Sequence, residues 1–151
     1  MREFSTRHIV RHTADDMFNL VADVEKYPQF LPLCHDLRVR RRSVEEDAEV
    51  LFADMTVAYK LIKERFSSRV TLARPRRTIL VEYVDGPFSH LENRWVFRPV
   101  AERACEVGFY IGYEFRSRTL GLLMGTVFDA AFRRFSAAFE QRADEVYGCA
   151  A

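Results

Sequence analysis

The sequence predicts an α+β protein in which a curved antiparallel sheet of about seven strands packs on one long C-terminal helix, with short helices after the first strand. Two observations predict this class. The middle of the chain is strand-like, and in residues 90–98 and 105–115 apolar and polar side chains alternate with a period of two, which is typical of half-covered strands. From about Ser117 onward the apolar period changes to 3.6, which is typical of an amphipathic helix.

Length and composition narrow the class of protein. The 151 residues predict a single domain over residues 1–151, large enough to bury a core without disulfides or a metal. The net charge of +1 does not favour a global attraction to nucleic acid. No apolar run approaches the ~18–20 residues of a membrane span, and the polar N-terminus argues against a signal peptide. Three cysteines without CxxC spacing favour a reducing compartment, so we expect a cytoplasmic protein.

The first strand and the first helix have clear local signals. Residues 4–10 predict a strand. Thr13 precedes Asp16 by three residues, a variant capping box that predicts the start of a short helix carrying Met17, Phe18, Leu20 and Val21.

An unusually apolar loop follows this helix. Pro28 and Pro32 prevent a continuous helix, so a helical turn and then an irregular loop are expected. Loops normally lie on the surface, where apolar side chains are unfavourable. We therefore expect this segment either to pack as a lid or to expose an apolar surface, through Tyr27, Phe30, Leu31 and Leu33.

The middle of the chain predicts a meander of strands separated by short turns. The expected strands are residues 36–44, 48–58, 60–72, 77–84, 90–99 and 105–115. The last of these has the clearest pattern, since all six residues of one phase from Cys105 to Phe115 are apolar.

The C-terminal segment predicts one helix of about 30 residues, ~45 Å long at 1.5 Å per residue. Gly108 and Gly112 predict bends or close backbone approach in the strand before it. A strongly curved sheet cannot lie flush on a straight helix. The space between them is therefore either filled by aromatic side chains or left as an apolar cavity.

The sequence shows no catalytic constellation. Cys34 and His35 have no evident orienting partner, and no glycine-rich phosphate loop is present. His8 and His12 do not share a helix face, so we expect surface histidines and no metal site. No acid–base pair for an aromatase or cyclase reaction is recognisable, and the protein is not expected to be an enzyme.

Two pairs of residues leave alternatives open. Glu64 and Asn93 are polar residues on apolar strand phases, and they either pair with Arg65 or Arg94 or present a hydrogen bond to a carbonyl-bearing ligand. Gly121 and Gly125 cost helix stability, ~1 kcal/mol each. They allow either close packing of the apolar loop or room for a ligand's tail.

Several blocks of the chain resemble the coenzyme Q-binding START-domain family, part of the polyketide cyclase/dehydrase and lipid transport superfamily. The blocks occur in the family's order over residues 7–147, as YPQFLPLC at 27–34, ERFSSRV at 64–70, DGPF at 85–88, YEFRS at 113–117 and LMG at 123–125. Leu33 stands where many members carry tryptophan, and the leucine keeps this position apolar.

The resemblance implies a helix-grip fold with a hydrophobic tunnel for ubiquinone or a similar isoprenoid lipid. It implies a non-catalytic quinone chaperone that supports respiration, with ubiquinone as bound ligand and no other cofactor. Peripheral contact with the inner membrane would use arginines 38–42, which equally suit a solvated sheet edge. The expected ligand-binding residues are Tyr27, Phe30, Leu31, Leu33, Asn93, Trp95, Phe97, Phe109, Ile111, Tyr113, Phe115, Leu123, Met124, Val127 and Phe128.

The same resemblance implies an alternative function. A bacterial sibling in the family is a ribosome association toxin, which blocks joining of the ribosomal subunits. The arginine clusters at residues 38–42 and 74–77 would be the corresponding RNA-binding or ribosome-binding patches, whereas DNA is not an expected partner.

Overall fold

The structure, a computed structural model, describes residues 1–148, so Cys149 lies outside the described residues. One seven-stranded antiparallel sheet has the order β1-β7-β6-β5-β4-β3-β2. Its strands are β1 (Arg2–Val10), β2 (Cys34–Glu45), β3 (Ala48–Tyr59), β4 (Ile62–Ala73), β5 (Thr78–Asp85), β6 (Phe88–Ala101) and β7 (Ala104–Phe115). The helices are α1 (Ala14–Ala22), α2 (Arg118–Arg133) and α3 (Phe135–Tyr147), with 3₁₀ segments at Val24–Gln29 and Arg74–Arg76.

The sheet confirms the predicted meander and α+β class. Strands β2 to β7 pair in sequence order, and β1 closes the other side against β7. In β2 the register shifts between Cys34 and Asp36 and again between Val39 and Arg41. Such irregularities bend a strand and increase its twist, which curves the β2 edge of the sheet.

The helix α1 begins where its sequence signal lies. The hydroxyl of Thr13 accepts a hydrogen bond from the backbone N–H of Asp16 at 3.0 Å. Asp15 and Asp16 occupy the first turn, where carboxylates interact favourably with the helix dipole. The helix then buries Met17, Phe18 and Val21 against the sheet.

The C-terminal helix is divided in two, whereas the sequence predicts one helix. The break is at Arg134, whose backbone N–H bonds to the carbonyl of Ala131, three residues back, at 3.0 Å. The periodicity continues through the break because Arg134 keeps near-helical dihedrals, with φ −94° and ψ −7°. As a result α2 packs on β7 and β1, while α3 packs on α1.

A buried histidine holds α3 in place, which corrects the expectation of surface histidines. His12 is only 5% exposed, and its Nε2 lies 2.7 Å from Oδ1 of Asp144 on α3. One turn earlier on α3, Glu140 lies 3.5 Å from Nε2 of His8. Two contacts therefore join the end of β1 to one face of α3.

Neither alternative for the helix glycines is correct. Gly121 faces the ring of Phe115, which a Cβ atom would meet at 3.7 Å. Gly125 lies under the guanidinium of Arg2, which a Cβ atom would meet at 3.0 Å. The glycines thus admit β7 and β1 side chains rather than the loop or a ligand tail.

Candidate apolar ligand site

A cavity of about 80 Å³ lies between the inner face of the sheet, α2, α3 and the segment from Val24 to Leu33. We call this segment the lid. The lining comes from every strand except β1, and no charged side chain belongs to it among the residues that the structure describes. Its members are Val24, Tyr27, Leu31, Pro32, Leu33, Leu37, Ala53, Met55, Val57, Phe66, Ser68, Val70, Val81, Leu91, Asn93, Trp95, Ile111, Phe128, Ala131, Phe132, Phe135 and Phe139.

Nearly half of the predicted ligand-binding residues meet at this cavity. The lid supplies three of them, the sheet three and α2 one. They are Tyr27, Leu31, Leu33, Asn93, Trp95, Ile111 and Phe128.

The other eight predicted residues do not line the cavity. Phe97, Phe109, Tyr113 and Met124 are buried in the core, while Phe115 and Val127 are half-buried against it. Phe30 packs edge-on against Phe139, with ring centroids 5.1 Å apart. Leu123 is 61% exposed to solvent. The rings of Phe97 and Phe109 lie 6.0 Å and 4.7 Å from Trp95, so aromatic packing fills that part of the inner face.

Sequence reasoning missed the part of the site on β3 and β4. Met55, Phe66 and Val70 line the cavity from these strands, and Phe132 and Phe135 line it from the helices. A signal was present, because Phe66, Ser68 and Val70 recur with the period of two that marks an inward face.

Polar side chains at the cavity are few, Tyr27, Ser68 and Asn93, and hydrogen-bond partners are defined for Tyr27 and Asn93. The side chain of Asn93 donates to the carbonyl of Tyr110 at 2.9 Å and accepts from the Trp95 indole N–H at 3.0 Å. Asn93 therefore does not pair with Arg94, and no ion pair joins Glu64 to Arg65 within residues 1–148. The hydrogen bond from Trp95 orients the Asn93 amide, which places its nitrogen as a donor.

Aromatic contacts hold the lid closed. The ring of Tyr27 lies 5.2 Å from that of Phe139, and its hydroxyl donates to the carbonyl of Val21. Burial raises the pKa of Tyr27 above its usual value, so the phenol remains protonated and keeps this donor. Leu33 has a left-handed φ of 68°, which is unfavourable for a leucine. On the exposed side of the lid, Gln29 accepts a hydrogen bond from Arg142 of α3 at 2.6 Å.

The cysteine beside the lid is a poor nucleophile. Burial, with a smaller contribution from Asp36, raises the pKa of the Cys34 thiol to about 12. Burial likewise raises the pKa of Cys105 to about 11. Reactive cysteines have lowered pKa values, so neither thiol is activated at neutral pH. Across residues 1–148 no group of three histidine, cysteine, aspartate or glutamate side chains has the geometry to hold a metal.

The fold and the cavity together define a helix-grip protein with an apolar site between the sheet and the helices. The chain belongs to the polyketide cyclase/dehydrase and lipid transport family, whose model matches residues 10–140. A solved structure, the 18 kDa protein CC1736 from Caulobacter crescentus, superposes with a TM-score of 0.78 at 31% identity. That match covers 99% of this chain and 100% of the other.

Two curated relatives carry different functional names. The "Ribosome association toxin RatA" of Escherichia coli strain K12 is 35% identical over 147 residues, which are 97% of this chain and 90% of that protein. The mitochondrial "Coenzyme Q-binding protein COQ10 homolog B" of Xenopus laevis is 29% identical over 97% of this chain and 59% of that protein. Similarity thus shows the family, while the particular function depends on the site.

Proposed function

We propose that this protein binds an isoprenoid quinone such as ubiquinone in the apolar cavity and carries it, without catalysis, in support of respiratory electron transport. The observation that carries the proposal is an internal site between the sheet and the helices, with apolar walls and one oriented amide, Asn93. The name of the Xenopus relative supports the same ligand class.

The two parts of a quinone match the two parts of the site. Apolar burial contributes ~25 cal/mol per Å², so an isoprenoid tail supplies most of the affinity without specific contacts. The Asn93 amide nitrogen has a second N–H besides the one given to Tyr110, and a quinone carbonyl is an acceptor for it. The thiols are protonated and the lining contains no charged side chain, so the site itself supplies no group for redox chemistry on the quinone. The respiratory partners of the quinone would carry out that chemistry.

The size of the cavity requires the lid to move. About 80 Å³ is small beside the ~300–1,000 Å³ of sites that enclose drug-sized ligands. The lid is held by ring contacts to Phe139 and by hydrogen bonds from Tyr27 and Arg142. An ion pair from Arg42 to Glu25 and a backbone hydrogen bond from Ala58 to Leu33 add to these contacts. These contacts can open without unpairing a strand of the sheet, so displacement of residues 24–33 is the expected route of entry.

The position of the single tryptophan provides a direct assay. Trp95 is the only tryptophan in the chain, and it lines the cavity. A short-chain ubiquinone added in mild detergent is expected to quench its fluorescence to saturation, and organic extraction of the purified protein is expected to yield an isoprenoid quinone by mass spectrometry. An unquenched Trp95 together with a quinone-free extract would refute the proposal.

Ribosome association is the second candidate function, because the Escherichia coli relative that carries this name aligns over 97% of the chain. The arginine clusters do not favour it. Arg38, Arg40 and Arg42 pair with carboxylates on or beside the edge strand β2, and Arg76 and Arg77 pair with Asp47 and Asp15. Co-sedimentation with the large or small ribosomal subunit, lost steeply with added salt, would favour this candidate over the carrier.

A further inference from the structure

We propose that one end of the molecule is a docking surface for a lipid bilayer that contains anionic headgroups. The surface, called here the leucine end, consists of three exposed leucines, Leu61, Leu122 and Leu123, and the basic residues around them. The inference rests on the proposed function in one respect, since a carrier must take its apolar ligand from a bilayer.

The antiparallel topology brings these residues to the same end of the sheet. Leu61 lies in the turn between β3, which ends at Tyr59, and β4, which begins at Ile62. The pairing of β4 with β5, β5 with β6 and β6 with β7 places the end of β7, at Phe115, on the same edge. Helix α2 starts three residues later and carries Leu122 and Leu123 in its first turns. Three or four strand spacings, ~14–19 Å, separate the two parts across the sheet. In addition, β4 extends five residues beyond its first pair with β5, Ser67 with Asp85, so Leu61 projects further along the strand direction.

The three leucine side chains are largely exposed and do not contribute to the core. Leu61 is fully exposed, Leu122 is 81% exposed and Leu123 is 61% exposed. Single exposed apolar residues are ordinary, but here three exposed leucines lie at the same end of a small protein, two of them adjacent on α2. Leucine side chains on an interfacial surface bind by entering the boundary between headgroups and acyl chains.

Five basic residues lie at the leucine end: Lys60, Lys63, Arg65, Arg116 and Arg118. In the part of the chain that the structure describes, none of these five side chains has a carboxylate within 4 Å. Within residues 1–148 they share this property with Arg2, Arg7, Arg11, Lys26, Arg41, Arg74, Arg103 and Arg134. Ten arginines elsewhere are paired, including Arg38, Arg40 and Arg42.

The carboxylates at this end leave a positive balance. Residues 59–65 and 114–123 contain five basic and two acidic side chains, Glu64 and Glu114. Glu114 lies 3.7 Å from the terminal amine of Met1, and Asp85 is a third carboxylate at the same edge. Unpaired cations that surround leucines fit an anionic bilayer, whose surface attracts the cations while its interior accepts the apolar side chains.

The lid adjoins this surface. The backbone N–H of Ala58, next to the turn that carries Leu61, donates to the carbonyl of Leu33 at 3.0 Å. A bilayer that receives Leu61 would therefore touch the strand end to which the lid is attached. RNA fits the arrangement less well, because contacts to phosphates use cations and leave no role for exposed leucines.

Vesicle flotation tests the proposal. The protein is expected to float with vesicles of dioleoylphosphatidylcholine mixed with dioleoylphosphatidylglycerol, and weakly with dioleoylphosphatidylcholine alone. Changing Leu61, Leu122 and Leu123 together to serine is expected to reduce partitioning at least tenfold. Changing Lys60, Arg116 and Arg118 to glutamine is expected to reduce it about fivefold per residue, for anionic vesicles only.

A matched variant and a second readout make the result decisive. Val44, Val96 and Val100 are exposed valines outside the leucine end, and their joint replacement by serine is expected to leave flotation unchanged. The proposal is overturned if the leucine and valine variants lose flotation equally, or if the wild type does not float. Salt-sensitive binding to ribosomes that the glutamine variant loses and the leucine variant keeps also overturns it, in favour of an RNA surface.

Fluorescence of Trp95 separates this proposal from the proposed function. The leucine-to-serine variant is expected to bind a short-chain quinone in detergent as the wild type does, because the leucine end does not line the cavity. If neither the wild type nor the leucine variant binds the quinone, but only the leucine variant loses flotation, the docking surface stands and the quinone proposal is refuted.

Discussion

Replacing Ala131 by leucine is expected to weaken quinone binding at least about tenfold, which corresponds to 1.4 kcal/mol. Ala131 lies on α2, is 6% exposed and lines the cavity opposite Ile111 and Trp95 on the sheet. The larger side chain would occupy space that a ligand must enter. Because it fills an existing void with apolar atoms, the free energy of unfolding should stay within ~1 kcal/mol of the wild type.

The neighbouring residue supplies the matched control. Ala130 is exposed on the same helix, so Ala130→Leu adds the same atoms without reaching the cavity. Quenching of Trp95 by a short-chain quinone measures affinity in both variants, and urea denaturation measures stability. Equal affinity of the Ala131→Leu variant and the wild type would show that the ligand does not use this cavity.

Replacing Gly86 by alanine is expected to lower the free energy of unfolding by about 2–4 kcal/mol. Gly86 has a φ of +143°, a conformation that L side chains rarely adopt. Its added Cβ would lie 2.6 Å from Cβ and 2.9 Å from Cα of Phe66. Phe66 cannot withdraw easily, because it packs edge-on against Phe88 at 5.4 Å and lines the cavity.

A second glycine serves as the control for this variant. A Cβ at Gly108 would meet Val96 at 3.7 Å, an ordinary contact, and the position has no positive φ. Gly108→Ala is therefore expected to change stability by less than ~1 kcal/mol. Urea denaturation of both variants measures the difference. Similar stability of the Gly86 and Gly108 variants would mean that the 85–88 turn is not fixed by the contact with Phe66.

The meander could be predicted because its signals are local. The strand expected at residues 105–115 is Ala104–Phe115, and the helix expected after Thr13 begins at Ala14. The alternation of apolar and polar residues identified the inward face of β7. The spacing of Thr13 and Asp16, three residues apart, identified the N-terminal cap of α1. These features depend on residues a few positions apart, so the sequence contains the information directly.

The site could be predicted only in part. Asn93, Trp95 and Ile111 were found because they lie on inward phases of clear strands. Phe97 and Phe109 share those phases, yet rings from neighbouring strands and α3 fill the space beside them. Alternation shows which face is covered, but it does not show whether the covering atoms fill the space.

By itself the sequence determined the fold class, the inward faces, the helix cap and the apolar character of the lid. Only the tertiary structure decided where the cavity remains, that the C-terminal helix divides at Arg134, and which cations are paired. It also placed Leu61 and Leu122, which are 61 residues apart in the chain, at the same end of the sheet. The physical reason is that periodicity and capping arise within one element, whereas voids, ion pairs and surface clusters arise between elements that the chain joins through long-range pairing.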